Sequence, residues 1–211
     1  MKGLIADFGG VLTTSIFDSF YAFCDEHEIP HDHFRDVFRA IAAAPESLFH
    51  LVETGRIDEE EFNRRMAEAL SNGLASPLDP DGLKHRLFAL ARLDQRMEKA
   101  IETLHDSGIK TCLLSNSWGG KDYPMDMLGK LFDAVVISGE VGMRKPDAEI
   151  YLLAAERIGL DPPQCVFIDD LQHNVEAAEA VGMTGLHHTE TESTVAELER
   201  IFGVSLSLEP A

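Results

Sequence analysis

An aspartate, Asp7, closes the apolar run Leu4-Ile5-Ala6, and after Phe8 two glycines follow it. Three other stretches carry groups that could meet it. Leu113-Leu114 leads into Ser115-Asn116, Val166-Phe167-Ile168 leads into Asp169-Asp170, and the loop Gly142-Met143-Arg144-Lys145-Pro146 brings a cation ahead of a helical pattern. If the apolar runs are parallel strands, these groups share one carboxyl edge, where open α/β sheets place their chemistry. Together they are the parts of a phosphoryl-transfer site. Three carboxylates about 4 Å apart, at an effective dielectric near 20, repel by roughly 4 kcal/mol per pair. They therefore take up protons or bind a cation, and an all-oxygen set beside a phosphate favours Mg²⁺. With the ion present Asp7 stays ionised and can attack phosphorus, forming an aspartyl-phosphate that water removes. Ser115 or Asn116 and Lys145 would hold the phosphoryl oxygens. A dinucleotide loop is excluded, because Gly9-Gly10 lacks the G-x-G-x-x-G spacing.

The elements that must position these groups are legible from spacing. After Thr13 the pattern turns helical: Phe17, Phe20, Tyr21 and Cys24 share a face, with Ser15 placed as an N-cap and Asp18 three residues on. Phe34, Val37, Phe38 and Ile41 mark a second helix. Pro45 can open a third, carrying Leu48, Phe49 and Val52 to Gly55. Asp58 and Glu61 form a capping box for a fourth, and a loop from Ala75 to Gly82 precedes a fifth through Leu83, Leu87 and Leu90. No strand pattern occurs in residues 15–92, so this stretch is expected to be an inserted, all-helical cap (15–92) over a core made of 1–14 and 93–211. From Leu93 strands and helices alternate. Lys110 to Leu114, Ala134 to Ile137, Gln164 to Ile168 and Thr184 to Leu186 read as strands, with helices between them through Met97 to Leu104, from Pro146 through Ile158, and through Val175 to Val181. The fold class is α/β, a Rossmann-like parallel sheet with helices on both faces.

Composition bounds the partners. Of 211 residues, 45% are hydrophobic and 26% charged, ordinary values for a globular chain, and 18 basic against 37 acidic residues give a formal charge of −19. That charge opposes nonspecific contact with nucleic acid or an anionic membrane. Cys24, Cys112 and Cys165 are dispersed among apolar neighbours and read as reduced core thiols, no Cys-x-x-Cys occurs, and no run reaches the ~18 residues of a membrane helix. A cytoplasmic protein without a cleaved leader is expected. Oligomeric state leaves no trace in the sequence.

Four stretches, Asp7 to Thr13, Leu114 to Asn116, Gly142 to Asp147 and Val166 to Asp170, resemble the motifs of the haloacid dehalogenase superfamily of hydrolases. The run from Ser138 to Asn174 is similar to the phosphatase domains of bifunctional epoxide hydrolases and related sugar-phosphate phosphatases. The resemblance implies that Asp7 is the nucleophile and a metal ligand, that Asp169 is a direct ligand, and that Asp170 is a second ligand or holds metal-bound water. It also makes Ser115 and Lys145 the phosphate binders and Asn116 and Asn174 supporting residues, Asn116 beside the phosphate.

One departure stands out. Where the family has an aspartate two residues after the nucleophile, acting as general acid and then base, this chain has Gly9. The metal contact there is a backbone carbonyl, which glycine keeps; the acid/base side chain is gone. The expected activity is therefore a Mg²⁺-dependent phosphatase favouring sugar 1-phosphates or other small phosphorylated metabolites with activated leaving groups. A metal-independent 2-haloacid dehalogenase and a non-catalytic phospholigand-binding protein are the rivals, and a phosphomutase is disfavoured by the same loss. His31-x-His33 reads as solvated surface, His187-His188 lies past the last strand, and the aromatics Phe17, Phe20, Tyr21, Phe34 and Phe38 read as the cap's own core. Trp118 reads as packing near the pocket, and the two cap connections, near residues 13–15 and 93, read as hinges.

Overall fold

A computed structural model describes residues 1–119 and 123–206 of the chain. Its strands, β1 (Gly3–Ala6), β2 (Lys110–Ser115), β3 (Ala134–Ile137), β4 (Cys165–Asp169) and β5 (Thr184–His187), form one sheet in the order β3-β2-β1-β4-β5, every pairing parallel. β1 and β4 are buried along their whole length. This is why they read as continuous apolar runs rather than alternating ones. Leu4, Ala6, Leu113, Val166 and Ile168 pack toward one face, under α6 (Gln95–Asp106), α7 (Met125–Leu131) and α11 (Thr191–Phe202). Ile5, Cys112, Leu114, Cys165 and Phe167 pack toward the other, under α9 (Ala148–Arg157) and α10 (Gln172–Ala180).

The register sets the site. Ala6 pairs with both Leu113 and Ile168, so Asp7 emerges beside Asp169, and its amide still donates to the Ile168 carbonyl at 2.9 Å. β1 lies where the strand order reverses, the crevice at which open α/β sheets bind ligands.

Between β1 and α6 the chain builds a separate helical layer, α1 (Ile16–Glu26), α2 (His31–Ala43), α3 (Leu48–Glu53), α4 (Glu59–Ser71) and α5 (Leu83–Leu87), around its own cluster of Phe20, Phe34, Val52, Phe62, Met66 and Leu87. The two passages into it run side by side: Thr14 donates to the Arg92 carbonyl at 2.8 Å and Asp94 to the Leu12 carbonyl at 2.9 Å, around an antiparallel bridge between Thr13 and Leu93.

Several local expectations are corrected. Ser15 occupies the N-cap of α1 but its side chain makes no capping bond. Asp58 caps α4 through the Glu61 amide at 2.9 Å, yet Glu61 turns away to Arg64 and Arg65 instead of closing the box. Pro45 and Pro146 do not open helices. α3 starts at Leu48 behind Ser47, and α9 at Ala148 behind Asp147. α5 stops at Leu87, leaving Leu90 53% exposed. The short α8 (Ser138–Val141), α7 and α11 are additions to the sequence reading. Cys24, Cys112 and Cys165 are buried free thiols, as expected, and among the described residues no helix is long and apolar enough to cross a membrane.

Candidate active site

The carboxyl edge gathers the predicted groups. The Lys145 ammonium, 1% exposed, lies 2.8 Å from Asp7 Oδ1 and 2.6 Å from Asp169 Oδ2. Asp169 is fully buried and receives two further donors, the Leu171 amide at 2.9 Å and the Asn174 side-chain amide at 3.0 and 3.1 Å to its two oxygens. Asn174 thus orients Asp169. Asn116 holds the lysine loop: its Oδ1 accepts from the Lys145 amide at 2.9 Å and its Nδ2 donates to the Lys145 carbonyl at 3.0 Å. Ser115, nearly buried, bonds through its hydroxyl to the Tyr123 phenol at 2.9 Å. The turn after Asp7 depends on Gly10, whose φ is +76° and where an added Cβ would sit 2.3 Å from Asp170 Oδ2. Gly9 differs, because an added Cβ there would meet only Ile16 Cγ2, at an ordinary 3.5 Å.

Oxygen atoms of Asp7, Asp169 and Asp170 lie within 4.8 Å of one another. Burial pushes the Asp7 carboxyl up to about 7; Lys145 pulls it down, and Asp169 and Asp170 add to the rise. Asp170 is pushed up to about 6 by burial and then by Asp169. Burial alone would lower the Lys145 ammonium, but Asp169 and Asp7 outweigh it and hold it above the ordinary lysine range. One cation among three carboxylates leaves an excess of negative charge. The donor set fits a hard divalent ion, which would relieve that excess.

Above the edge opens a cavity of about 600 Å³ between the sheet and the helical layer, lined at its floor by Asp7, Gly9, Ser115, Lys145 and Asp170. Its upper wall is aromatic. Phe17, Phe20, Phe38, Phe49, Phe88 and Trp118 line it, the Trp118 ring stacking at 5.6 Å on Phe20 and 5.1 Å on Phe49. This corrects the expectation that the helical aromatics serve only their own core: Tyr21 and Phe34 do, Phe20 and Phe38 also face the cavity, and Phe17, 40% exposed, lines the cavity without joining that core.

Of the histidines, His31 and His33 point apart, to Asp25 and to the Leu70 carbonyl. His187 bonds the Asp170 carbonyl at 2.9 Å and His188 bonds Thr194, also at 2.9 Å.

Three groups escaped the sequence reading. Glu53, on α3 and 6% exposed, pairs with Arg144 Nε at 2.6 Å and accepts from Trp118 Nε1 at 3.1 Å, bolting the helical layer to the lysine loop. Burial raises its carboxyl and Arg144 pulls it part of the way back. An acid beside the apolar Val52, just before a helix-ending glycine, was the available signal for Glu53. Arg144 stood within a motif without being singled out, and Tyr123 belongs to no periodic pattern in the sequence.

The haloacid dehalogenase-like hydrolase family model matches residues 1–182. Bifunctional epoxide hydrolase 2 of Sus scrofa is 27% identical over 229 residues, covering 100% of this chain but 40% of that protein, so the chain spans well under half of that relative's length. The phosphorylated carbohydrates phosphatase of Thermotoga maritima is 28% identical, over 99% of this chain and 87% of its own. Among solved structures, a haloacid dehalogenase family enzyme of Bacteroides thetaiotaomicron, in complex with magnesium and inorganic phosphate, superposes with a TM-score of 0.63 at 20% identity, over 90% of this chain and 94% of that one.

Proposed function

The chain belongs to the haloacid dehalogenase-like hydrolase family, and from that premise we propose a Mg²⁺-dependent phosphatase that works through an aspartyl-phosphate at Asp7. One observation carries the proposal: a carboxylate at the sheet's carboxyl edge, Asp7, buried at the floor of the cavity and held 2.8 Å from a buried ammonium that is itself anchored 2.6 Å from Asp169. The ion would be held by Asp7, Asp169 and Asp170 with the Gly9 carbonyl, and when bound it supplies positive charge against the phosphoryl oxygens. Asp7 attacks phosphorus, the bond from phosphorus to the leaving oxygen breaks, and water then displaces Asp7 to release phosphate. Lys145 stays protonated throughout and acts as fixed charge rather than as a base. Asn116 and Asn174 keep Lys145 and Asp169 in place, and the helical layer of residues 15–92 serves as a cap over the floor.

With Gly9 in place of an acid, the leaving oxygen departs as an anion and takes its proton from water. The substrate is therefore a phosphate ester or mixed anhydride whose leaving group needs little help, such as an acyl, aryl or sugar 1-phosphate. Among these the aromatic wall favours a leaving group with an apolar body.

Phosphate release with Mg²⁺ from a panel of acyl, aryl, sugar 1- and sugar 6-phosphates tests this, with Asp7→Asn as the control. Turnover on the first two classes that disappears with Asp7→Asn is the expected result. Halide release from a 2-haloacid without Mg²⁺, or phosphate release that survives Asp7→Asn, would overturn it.

A further inference from the structure

The loop after β2 places a phenol where a phosphate-binding hydroxyl needs a partner. Tyr123 OH lies 2.9 Å from Ser115 Oγ, and among the described residues it is the side chain bonded to that hydroxyl. The ring is fixed from two sides. It meets the Phe8 ring edge-on at a centroid distance of 5.2 Å, next to the nucleophile. Its backbone opens α7, accepting from the Met125 amide at 2.8 Å, and α7 is anchored in the core by Leu128 and Leu131. Tyr123 shares the cavity floor with Asp7, Ser115 and Lys145.

A serine hydroxyl has one proton and can accept as well as donate. When a phosphoryl oxygen accepts that proton, the remaining bond to Tyr123 can be made in one direction only, with the phenol donating. We propose that Tyr123 is a positioning residue of the phosphoryl site: its O–H donates to Ser115 Oγ, which commits the single Ser115 proton to a phosphoryl oxygen. Burial pushes the phenol up to about 12, so it stays protonated across the working pH range. A hydroxyl that accepts while it donates is also the better donor, because chained hydrogen bonds polarise one another.

This assignment presupposes phosphoryl transfer to Asp7, and the test separates the two. Wild type, Tyr123→Phe, Ser115→Ala, the double variant and Asp7→Asn are compared on an aryl phosphate and an alkyl phosphate with Mg²⁺. Tyr123→Phe keeps the ring contact with Phe8 and removes only the proton. It is expected to keep the wild-type melting temperature, to lower kcat about tenfold by the same factor on both esters, and to leave KM within about twofold, a fraction of the 10²–10³ typical for removing a direct oxyanion donor. The double variant should be no slower than Ser115→Ala, because the phenol acts through that hydroxyl. Losses that multiply in the double variant would overturn the proposal, as would an unchanged kcat in Tyr123→Phe. So would a loss that grows with leaving-group pKa, which would make Tyr123 the proton donor itself. If Asp7→Asn retains activity, the aspartyl-phosphate reading fails instead.

Discussion

Restoring an aspartate at position 9 is the sharpest perturbation available. Gly9 lies outside the left-handed region, and an added Cβ meets Ile16 Cγ2 at an ordinary 3.5 Å, so the backbone accepts a side chain there, as Gly9→Asp requires. The gain is the acid/base contribution, about 10²–10⁴-fold, or roughly 3–5 kcal/mol of barrier. It applies only where the leaving oxygen needs a proton. The cost is a fourth carboxylate near Asp7, Asp169 and Asp170, about 3 kcal/mol per neighbour at ~6 Å and an effective dielectric near 20, which bound Mg²⁺ offsets. The assay is log kcat against leaving-group pKa across a series of aryl and alkyl phosphates. Wild type should fall steeply along the series and Gly9→Asp should flatten it, with at least 10²-fold gain on the alkyl members and little on the most acidic phenols. Gly9→Asn, similar in size but unable to donate an acid proton, should keep the wild-type slope. A shallow wild-type slope, or equal gains from Asp and Asn, would refute the reasoning.

Other expectations follow from the same geometry. In the metal-free protein Asp7 is raised from 3.8 to about 7 and Asp170 from 3.8 to about 6. A raised carboxylate costs stability once it ionises, so the stability is full below about pH 4 and is lost as pH climbs toward 7. His188, lowered by burial, acts in the opposite sense as pH falls through its own range. The melting temperature of wild type minus that of Asp7→Asn, without metal, should therefore decline between about pH 4 and 7 and recover with Mg²⁺; a flat difference would contradict it. Gly10→Ala drives a Cβ against Asp170 Oδ2 at 2.3 Å and forces a side chain onto φ +76°, and a Mg²⁺ titration of activity should show a requirement raised about tenfold. Glu53→Gln breaks a buried pair with Arg144 that also receives Trp118, and chemical denaturation should show a loss of about 1–3 kcal/mol together with lower kcat/KM.

Much of this site is legible in the sequence because a parallel strand announces itself twice, by an apolar run and by the abrupt polar group that ends it. Asp7, Ser115 and Asp169-Asp170 are all of that kind, and β1, β2 and β4 stand where the runs place them. Lys145 was legible only through its motif, since nothing local shows that a loop lysine will be 1% exposed. The prolines misled because their fixed φ suits the first helical turn, yet Pro45 and Pro146 sit just ahead of the residues that cap α3 and α9. Helical spacing showed that Phe20 and Phe38 turn inward but carries no information on what they face. Here the inward face of the layer is partly the wall of a cavity, a wall that Trp118 joins from the loop after β2. Glu53 acts on Trp118 across 65 residues of chain, and on Arg144 across still more, and Tyr123 on Ser115 across 8, partners that only the fold brings near.

On the proposed reading, the absence of an acid at position 9 moves the burden of catalysis onto the phosphoryl side of the site. Only interactions stronger in the transition state than with bound substrate lower the barrier, so the groups facing the transferring oxygens must be held in place beforehand. That is what the network around Lys145 provides. Asn116 fixes its backbone through two bonds, Asp169 anchors its ammonium at 2.6 Å, and Asn174 and the Leu171 amide in turn fix Asp169. A buried ion pair of this kind is weak evidence for stability, because desolvation offsets much of the attraction. Its use is positional: a cation that cannot rotate away waits beside Asp7, the atom at which phosphorus would arrive. On the same proposed reading, the aromatic wall is where substrate choice would be tuned. A site that cannot protonate its leaving group would, on that reading, select those substrates whose organic part both fits the aromatic wall and departs readily.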